Sequence, residues 1–274
     1  DYDYIFKDAE VKFVFCENEE LYLKVKEASK GNKQIKGIYT FDPVADVERW
    51  TTVKDLGEGK DVAKLKPLMD AVQPSDLLTL IYTSGTTGRP KGVMLTHHNI
   101  VSNVKSLVRG NFFDLLPEDR ALSFLPLCHI YERTDIYMYM YYGVSVYYAE
   151  SMETIADNIR EVKPAMFATV PRLLEKVYDK ILAKGNELTG FKRTLFFAAI
   201  DFGLQYDPMK KLGFLDSLKL SIYRKLIFSK WREALGGKIR LITSGSAALQ
   251  PRLSRVFWAA GIPISEGYGL TETS

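Results

Sequence analysis

Between two apolar runs, Leu77-Leu78-Thr79-Leu80-Ile81-Tyr82 and Val93-Met94-Leu95, the chain reads Thr83-Ser84-Gly85-Thr86-Thr87-Gly88-Arg89-Pro90-Lys91-Gly92. Gly85 and Gly88 let the backbone turn tightly and bring its N–H groups close to an anion. The hydroxyls of Thr83, Ser84, Thr86 and Thr87 add donors without charge, and Lys91 adds one mobile positive charge. That is the chemistry of a triphosphate cradle. A Walker A loop is excluded, because that motif places Gly-Lys-Ser/Thr directly before a helix. Here Pro90 and Lys91 follow Gly88 by two and three positions and lead into a strand. The loop therefore reads as the tip of a hairpin closing over phosphates. A polar surface turn uses the same residue types, but does not need so many together.

Three further stretches could do chemistry. Ser244-Gly245-Ser246-Ala247-Ala248 follows an expected strand at 239–243, and its small side chains leave room for a planar ring against the backbone. Glu266-Gly267-Tyr268-Gly269-Leu270-Thr271-Glu272 follows another expected strand at 262–265, with a tyrosine face between glycines and a threonine and a carboxylate three and four positions later. Leu125-Pro126-Leu127-Cys128-His129-Ile130-Tyr131-Glu132-Arg133 follows the end of a third, at 120–125. Open α/β sheets place ligands at the carboxyl ends of their strands. A histidine there is either a site residue or a satisfied core residue. His97 and His98 are adjacent on an expected helix and diverge by about 100°, so they do not chelate one metal as an i, i+4 pair would. Capping or surface roles suit them better.

The stretch Tyr82–Gly92 resembles the AMP-binding signature of the adenylate-forming enzymes, which include acyl-CoA synthetases, adenylation domains of peptide synthetases and beetle luciferases. The His129-x-x-Glu132-Arg133 spacing resembles the long-chain acyl-CoA synthetase branch. The likeness is dense in 77–99, 122–150 and 239–273. It implies ATP bound by Thr83, Ser84, Gly85, Thr86, Thr87, Gly88 and Lys91, with Gly245, Ser246, Ala247, Glu266, Gly267 and Tyr268 around the adenine. It implies Thr271 on the α-phosphate, Glu272 on Mg²⁺ and His129 facing the carboxylate. Lys91, Thr271, Glu272 and His129 are the expected catalytic set, and Glu272 and Thr83 supply the hard oxygen ligands that Mg²⁺ prefers. Arg133 stands where some bacterial members carry an aromatic gate, and Cys128 where serine is more usual.

The surrounding pattern is that of an α/β protein. Strands at 11–16 and 34–41 flank a helix at 19–29, and a short helix is expected near 62–72. Trp50 reads as packed. Thr96 is a plausible N-cap, and Ile100, Val101, Val104, Leu107 and Val108 recur at helical spacing. Tyr137–Tyr148 reads as a helix end, a turn at Gly143 and a strand, serving as core or as the wall of an apolar channel. A second β/α run has a helix at 155–162, a strand at 165–170 and a helix at 171–183 opened by Pro171. Residues 185–237 then interrupt the alternation with apolar residues at helical spacing and many lysines and arginines. They form either a solvated helical hairpin or a basic amphipathic surface for an anionic membrane. The expectation is two successive parallel β/α layered subdomains, 1–150 and 151–274, of an acyl-CoA synthetase N-terminal domain, with a helical insertion at 185–237 and the small C-terminal domain absent.

A net charge of +3 with 26% charged residues argues against a nucleic-acid binder and against disorder. Two cysteines, Cys16 and Cys128, suggest neither a disulfide framework nor a zinc cluster, so a reducing, cytoplasmic setting is expected, with contact to the inner face of a membrane as an option. The expected reaction joins a long-chain fatty acid to AMP with loss of pyrophosphate, and coenzyme A then displaces AMP. A fatty acid is already ionised near neutral pH, so the step needs alignment and charge neutralisation rather than a base. The chain alone is expected not to turn over, since the family's hinge and its catalytic lysine are missing. The competing class is a non-catalytic nucleotide- or lipid-binding module on the same fold.

Overall fold

The computed structural model describes residues 1–84, 88–110 and 112–273. Two compact units emerge, Asp1–His97 and His98–Ser274. In the first, α1 (Tyr2–Asp8) precedes β1 (Phe13–Cys16), α2 (Glu19–Ala28) and β2 (Gly37–Thr40). β1 and β2 pair in parallel with α2 as the crossover. The Asn18 side chain accepts a hydrogen bond from the Leu21 amide at 3.1 Å, and Glu19 and Glu20 occupy the first turn. A cap and acidic first-turn residues favour a helix start at that point. Phe6, Cys16 and Val25 form the small core.

Next come α3 (Trp50–Asp55), with Trp50 against Phe41 at 6.2 Å between ring centres, and a 3₁₀ turn, Val62–Lys64, that runs into α4 (Leu65–Ala71). β3 (Leu77–Thr83) and β4 (Lys91–Thr96) form an antiparallel hairpin. Its first strand is less buried than its apolar run suggests: Ile81 is buried but Leu77 is exposed. Leu77 lies at the strand's outer end, beyond a register shift between Leu77 and Thr79, and a sheet of two strands buries little there.

In the second unit α5 (His97–Arg109) turns Ile100 and Val104 inward. The elements that follow are β5 (Arg120–Ser123), α6 (Ile130–Tyr142), β6 (Ser145–Tyr148), α7 (Ile155–Val162), β7 (Met166–Thr169), α8 (Pro171–Asn186), α9 (Gly190–Gln205) and α10 (Phe214–Tyr223). α10 continues through a π-helical stretch, Arg224–Phe228, into α11 (Ser229–Ala234), and β8 (Leu241–Ser244), α12 (Pro251–Ala259) and β9 (Ile264–Glu266) close the unit before a 3₁₀ turn at Thr271–Thr273. The five strands form one parallel sheet in the order β6-β5-β7-β8-β9. All four residues of β7 are buried, as expected for a central parallel strand with both faces covered.

This sheet runs across position 150, where the sequence pattern placed a subdomain boundary: β5 and β6 lie before it and pair with strands that lie after it. The compact division falls at His97/His98 instead. The helical insertion is also no appendage. Phe196, Ala199 and Ile200 of α9, Leu220 of α10, Phe228, and Trp231 of α11 are part of the main core. Phe228 and Phe257 both meet Trp231 edge-on, at 5.1 and 5.7 Å. In Tyr137–Tyr148, Met138 and Tyr139 are core, whereas Met140, Tyr141 and Tyr148 are exposed.

Candidate functional site

The cradle residues belong to the first unit. β3 and β4 pair Thr83 with Lys91, so a hydroxyl and an ammonium stand opposite each other at the mouth of the hairpin, on the same face. Thr83 is half-buried, and Ser84, Gly88 and Lys91 are exposed. Gly88 has φ +84°, and no atom lies within 4 Å of where a Cβ would sit. Its requirement for glycine is therefore conformational and not steric. Gly85, Thr86 and Thr87, also expected in the cradle, lie outside the described residues.

The loop end of the hairpin is anchored to α1. The Tyr82 hydroxyl donates to Asp8 Oδ2 at 2.6 Å. Burial, with Asp8 adding to it, pushes the Tyr82 phenol up to about 12, so it stays protonated. A cleft of about 620 Å³ between α1 and Gly88–Pro90 carries Asp1, Asp3 and Asp8 on its α1 wall. Three carboxylates facing Lys7 and Arg89 make that side of the hairpin a poor place for phosphate.

The remaining site residues belong to the second unit. Because its five strands are parallel, their carboxyl ends share one edge. Strand order reverses there: the chain steps from β5 outward to β6, then returns to β7 on the other side of β5. Such a switch point opens a crevice at the carboxyl ends of the two strands. The loop after β5 carries His129, which is exposed at the N-cap position of α6 and makes no side-chain cap bond.

The same edge holds the small-residue turn and the tyrosine loop. The Gly245 amide donates to the Thr169 carbonyl at 3.2 Å, and the Gly267 amide to the Ser244 carbonyl at 2.9 Å. Both glycines therefore prolong the hydrogen bonding of the sheet beyond its strands. Glu266 Oε2 accepts from the Leu249 amide at 3.1 Å, tying the end of β9 to the turn after β8. Ser246 holds φ +68°, a left-handed conformation that bends the chain sharply. A Cβ on Gly245 would lie 3.0 Å from the Tyr131 ring. Glycine thus lets the first turn of α6, two residues past His129, close onto the turn after β8.

Tyr268 is 99% exposed, so its ring is available for stacking. Thr271 is half-buried and Glu272 exposed in the 3₁₀ turn, which the Thr273 hydroxyl closes onto the Leu270 carbonyl at 3.0 Å. Gly245–Ala247 and Glu266–Tyr268 are thus brought to one sheet edge with the helix start that bears His129. Thr83, Ser84, Gly88 and Lys91 form the other half of the set, in the other unit. Arg133 folds back so that its Nε donates to the Leu127 carbonyl at 3.0 Å, bracing the turn that carries His129.

One group of residues was given no chemical role by the sequence pattern, although Glu132 belongs to the His129-x-x-Glu132-Arg133 spacing. Glu132 and Asp135 on α6 are only 1% and 5% exposed, and Tyr139 is buried with them. They lie at i, i+3 and i+7, one helix face. Glu132 receives a hydrogen bond from the Ser123 hydroxyl. Its Oε2, Asp135 Oδ2 and the hydroxyls of Tyr131, Tyr139, Thr169, Thr243 and Ser244 are buried without a partner among the described residues. Burial pushes the Glu132 carboxyl up to about 7. Burial, then the charge of Glu132, raises Asp135 well above the usual carboxylate range. No basic side chain contributes to either shift. Protonated, each carboxyl gains a donor that can serve the neighbouring oxygens. The legible signal was two acids and a tyrosine sharing a helix face with Ile136.

Among the described residues no group of three or more His, Cys, Asp or Glu side chains could hold a metal ion. The Glu272 carboxylate, exposed in the second unit, and the Thr83 hydroxyl, half-buried in the first, are each hard oxygen donors of the kind Mg²⁺ takes. Both cysteines are free, Cys16 buried and Cys128 exposed. No helix among the described residues is long and apolar enough to cross a membrane.

A family model described as "AMP-binding enzyme" matches residues 1–274. Long chain acyl-CoA synthetase 3 of Arabidopsis thaliana is 33% identical over 288 residues, covering 99% of this chain and 42% of that protein. The peroxisomal long chain acyl-CoA synthetase 6 of the same plant is 39% identical over 207 residues, covering 74% and 28%. Long-chain-fatty-acid–CoA ligase FadD15 of Mycobacterium bovis is 32% identical over 277 residues, covering 99% and 45%. The chain thus spans less than half the length of these relatives. Among solved structures, the adenylation domain of a carboxylate reductase from Mycobacterium chelonae superposes with a TM-score of 0.64 at 21% identity, covering 98% of this chain and 41% of that one. The N-terminal domain of FACL13 from Mycobacterium tuberculosis gives 0.60 at 19%, covering 98% and 53%. At those identities the likeness establishes the fold: α/β, with a parallel sheet wrapped by helices.

Proposed function

Because this chain belongs to the AMP-binding enzyme family, we propose that it supplies the nucleotide- and carboxylate-binding part of a long-chain fatty acid–CoA ligase. The observation that carries the reading is the Thr83–Lys91 pair at the mouth of a hydroxyl-rich hairpin, in a chain matched along its length to acyl-CoA synthetases. Thr83, Ser84, Gly85, Thr86, Thr87, Gly88 and Lys91 hold the phosphates. Gly245, Ser246, Ala247, Glu266, Gly267 and Tyr268 receive the adenine, and Thr271 donates to the α-phosphate. Mg²⁺ held by Glu272 and Thr83 would neutralise phosphate charge. His129, at the switch-point crevice, faces the carboxylate.

In the proposed reaction a carboxylate oxygen attacks the α-phosphorus of ATP, the bond to the bridging oxygen breaks, and pyrophosphate leaves. The thiolate of coenzyme A then attacks the acyl carbon and AMP departs. Two anions must meet in the first step, so the chain's task is electrostatic. Lys91 and the hairpin donors offset phosphate charge. The near-complete exposure of Tyr268 leaves its ring free to stack on a base. Residues 1–274 alone are proposed not to turn over, since the matched relatives are more than twice as long. We propose a reducing, cytoplasmic setting, with peripheral contact to the inner face of a membrane as an option.

The test is ATP–pyrophosphate exchange by the full-length protein with fatty acids, followed by AMP release on adding coenzyme A. Fatty-acid-dependent exchange is expected. ATP binding without exchange for any carboxylic acid would refute ligase activity and leave a nucleotide-binding module.

A further inference from the structure

Helix α10 is apolar on two sides. Leu220 points into the main core. Roughly opposite it on the helix, Leu215, Leu218 and Ile222 recur at i, i+3 and i+7, with Phe214 before them and Leu226 in the π-helical continuation. All five are exposed, Phe214 at 83% and Leu215 at 69%. A helix packed against a core on one side ordinarily presents polar residues on the other. Burial thus accounts for Leu220 but not for the outer row.

The charges around that row have one sign. From Met209 to Arg232 the sequence holds seven basic residues and one acid, Asp216. Arg224 turns inward, its guanidinium donating to the Ala259 carbonyl at 2.8 Å and the Trp258 carbonyl at 3.3 Å. Lys210, Lys211, Lys219, Lys225 and Lys230 stay exposed. Asp216 pairs with Lys219 at 3.2 Å and Asp207 with Lys210 at 3.5 Å, both on the surface. A ridge of large apolar side chains edged by lysines matches an interface of acyl chains and anionic head groups. It is poorly matched to a second copy of itself, which would set lysines against lysines.

We propose that the outer face of α10, Phe214, Leu215, Leu218, Ile222 and Leu226 with Lys211, Lys219 and Lys225, docks on the surface of an anionic lipid bilayer. The inference rests on the proposed substrate, because a long-chain fatty acid partitions into bilayers, and an enzyme lying on that surface meets it there. The helix would lie in the plane of the interface and need not span it.

The test is co-sedimentation of the full-length protein with phosphatidylcholine vesicles, with and without phosphatidylserine, at low and high salt. One variant carries Leu215→Gln, Leu218→Gln and Ile222→Gln; a second carries Lys219→Gln and Lys225→Gln. All five positions are exposed, so thermal melts should coincide with the parent's. The parent should bind vesicles that contain phosphatidylserine, and less so at high salt. The apolar variant should lose at least about tenfold in partitioning, and the lysine variant about fivefold per charge. Equal binding by parent and apolar variant overturns the proposal. So does a loss of melting temperature in the apolar variant, which would show the face covered by the rest of the chain, or a parental dimer that the variant dissolves. Pyrophosphate exchange in detergent-dispersed fatty acid should be the same for parent and variants. If exchange is absent throughout while vesicle binding follows the expected pattern, the ligase reading fails and the docking face stands.

Discussion

Replacing Glu132 by Gln should stabilise this protein at neutral pH and not at acid pH. Glu132 titrates at about 7 in the fold against 4.5 in an open chain, chiefly because it is buried. The groups that interact with it are the Ser123 hydroxyl from β5 and Tyr131, Asp135 and Tyr139 on α6. Below pH 4.5 folded and unfolded chains both carry the proton, so the carboxyl imposes no charge penalty. Between 4.5 and 7 the unfolded chain releases the proton while the folded chain keeps it, and stability falls. Above pH 7 the loss is complete, and the two values place it at about 3 kcal/mol. Asp135 acts in the same direction. Gln cannot ionise, and its carbonyl can still accept from Ser123, so Glu132→Gln should match the parent near pH 4.5 and exceed it by up to about 3 kcal/mol above pH 7. In melting temperature that is a gap of about 6–12 °C for a chain in this size range. Thermal melts of both proteins across this pH range, by circular dichroism, read the gap directly. A gap independent of pH would show that the Glu132 carboxyl is not shifted by the fold, and a variant less stable than the parent at pH 7 that it is ionised and favourably paired; either way the argument from burial would fail.

Lys91→Ala should lower pyrophosphate exchange by about 10²–10³-fold while leaving the melting temperature nearly unchanged, since Lys91 is exposed; equal losses of both would point to a structural role. Gly245→Ala sets a methyl group 3.0 Å from the Tyr131 ring and should cost about 1–3 kcal/mol in urea unfolding, with Tyr131→Leu restoring part of the loss. Tyr82→Phe removes the 2.6 Å bond to Asp8 and should cost about 1 kcal/mol; an unchanged urea midpoint would mean that α1 does not brace the hairpin.

Local pattern settled a good deal before any fold was known. The hairpin at 77–96, the helix at 155–162 and the αL turn at Gly143 are short-range features, fixed by side-chain period and by glycine conformation, and all three stand as read. The hydroxyl-rich loop and the Gly-Tyr-Gly loop were visible for the same reason: their chemistry is contiguous in sequence. Strand order was not visible. Nothing in the run at 120–125 says that β6 lies on one side of it and β7 on the other, yet that reversal puts the loop bearing His129 at a topological switch point. For the same cause the sheet runs across position 150, since sheet membership depends on which strands meet and not on where helices interrupt the chain.

Composition alone gave Glu132 and Asp135 no more meaning than any exposed acid. Packing of α6 against β5 and β6 took water away from them, and loss of solvation is what holds their protons on. Likewise the basic insertion read as a surface feature, but its inner face joined the core while one row of large apolar residues stayed outside. Sequence therefore determined which groups are available and which turns they sit in. Tertiary structure decided which of them share an edge, and which lose water, because both depend on contacts between segments that chain order does not encode.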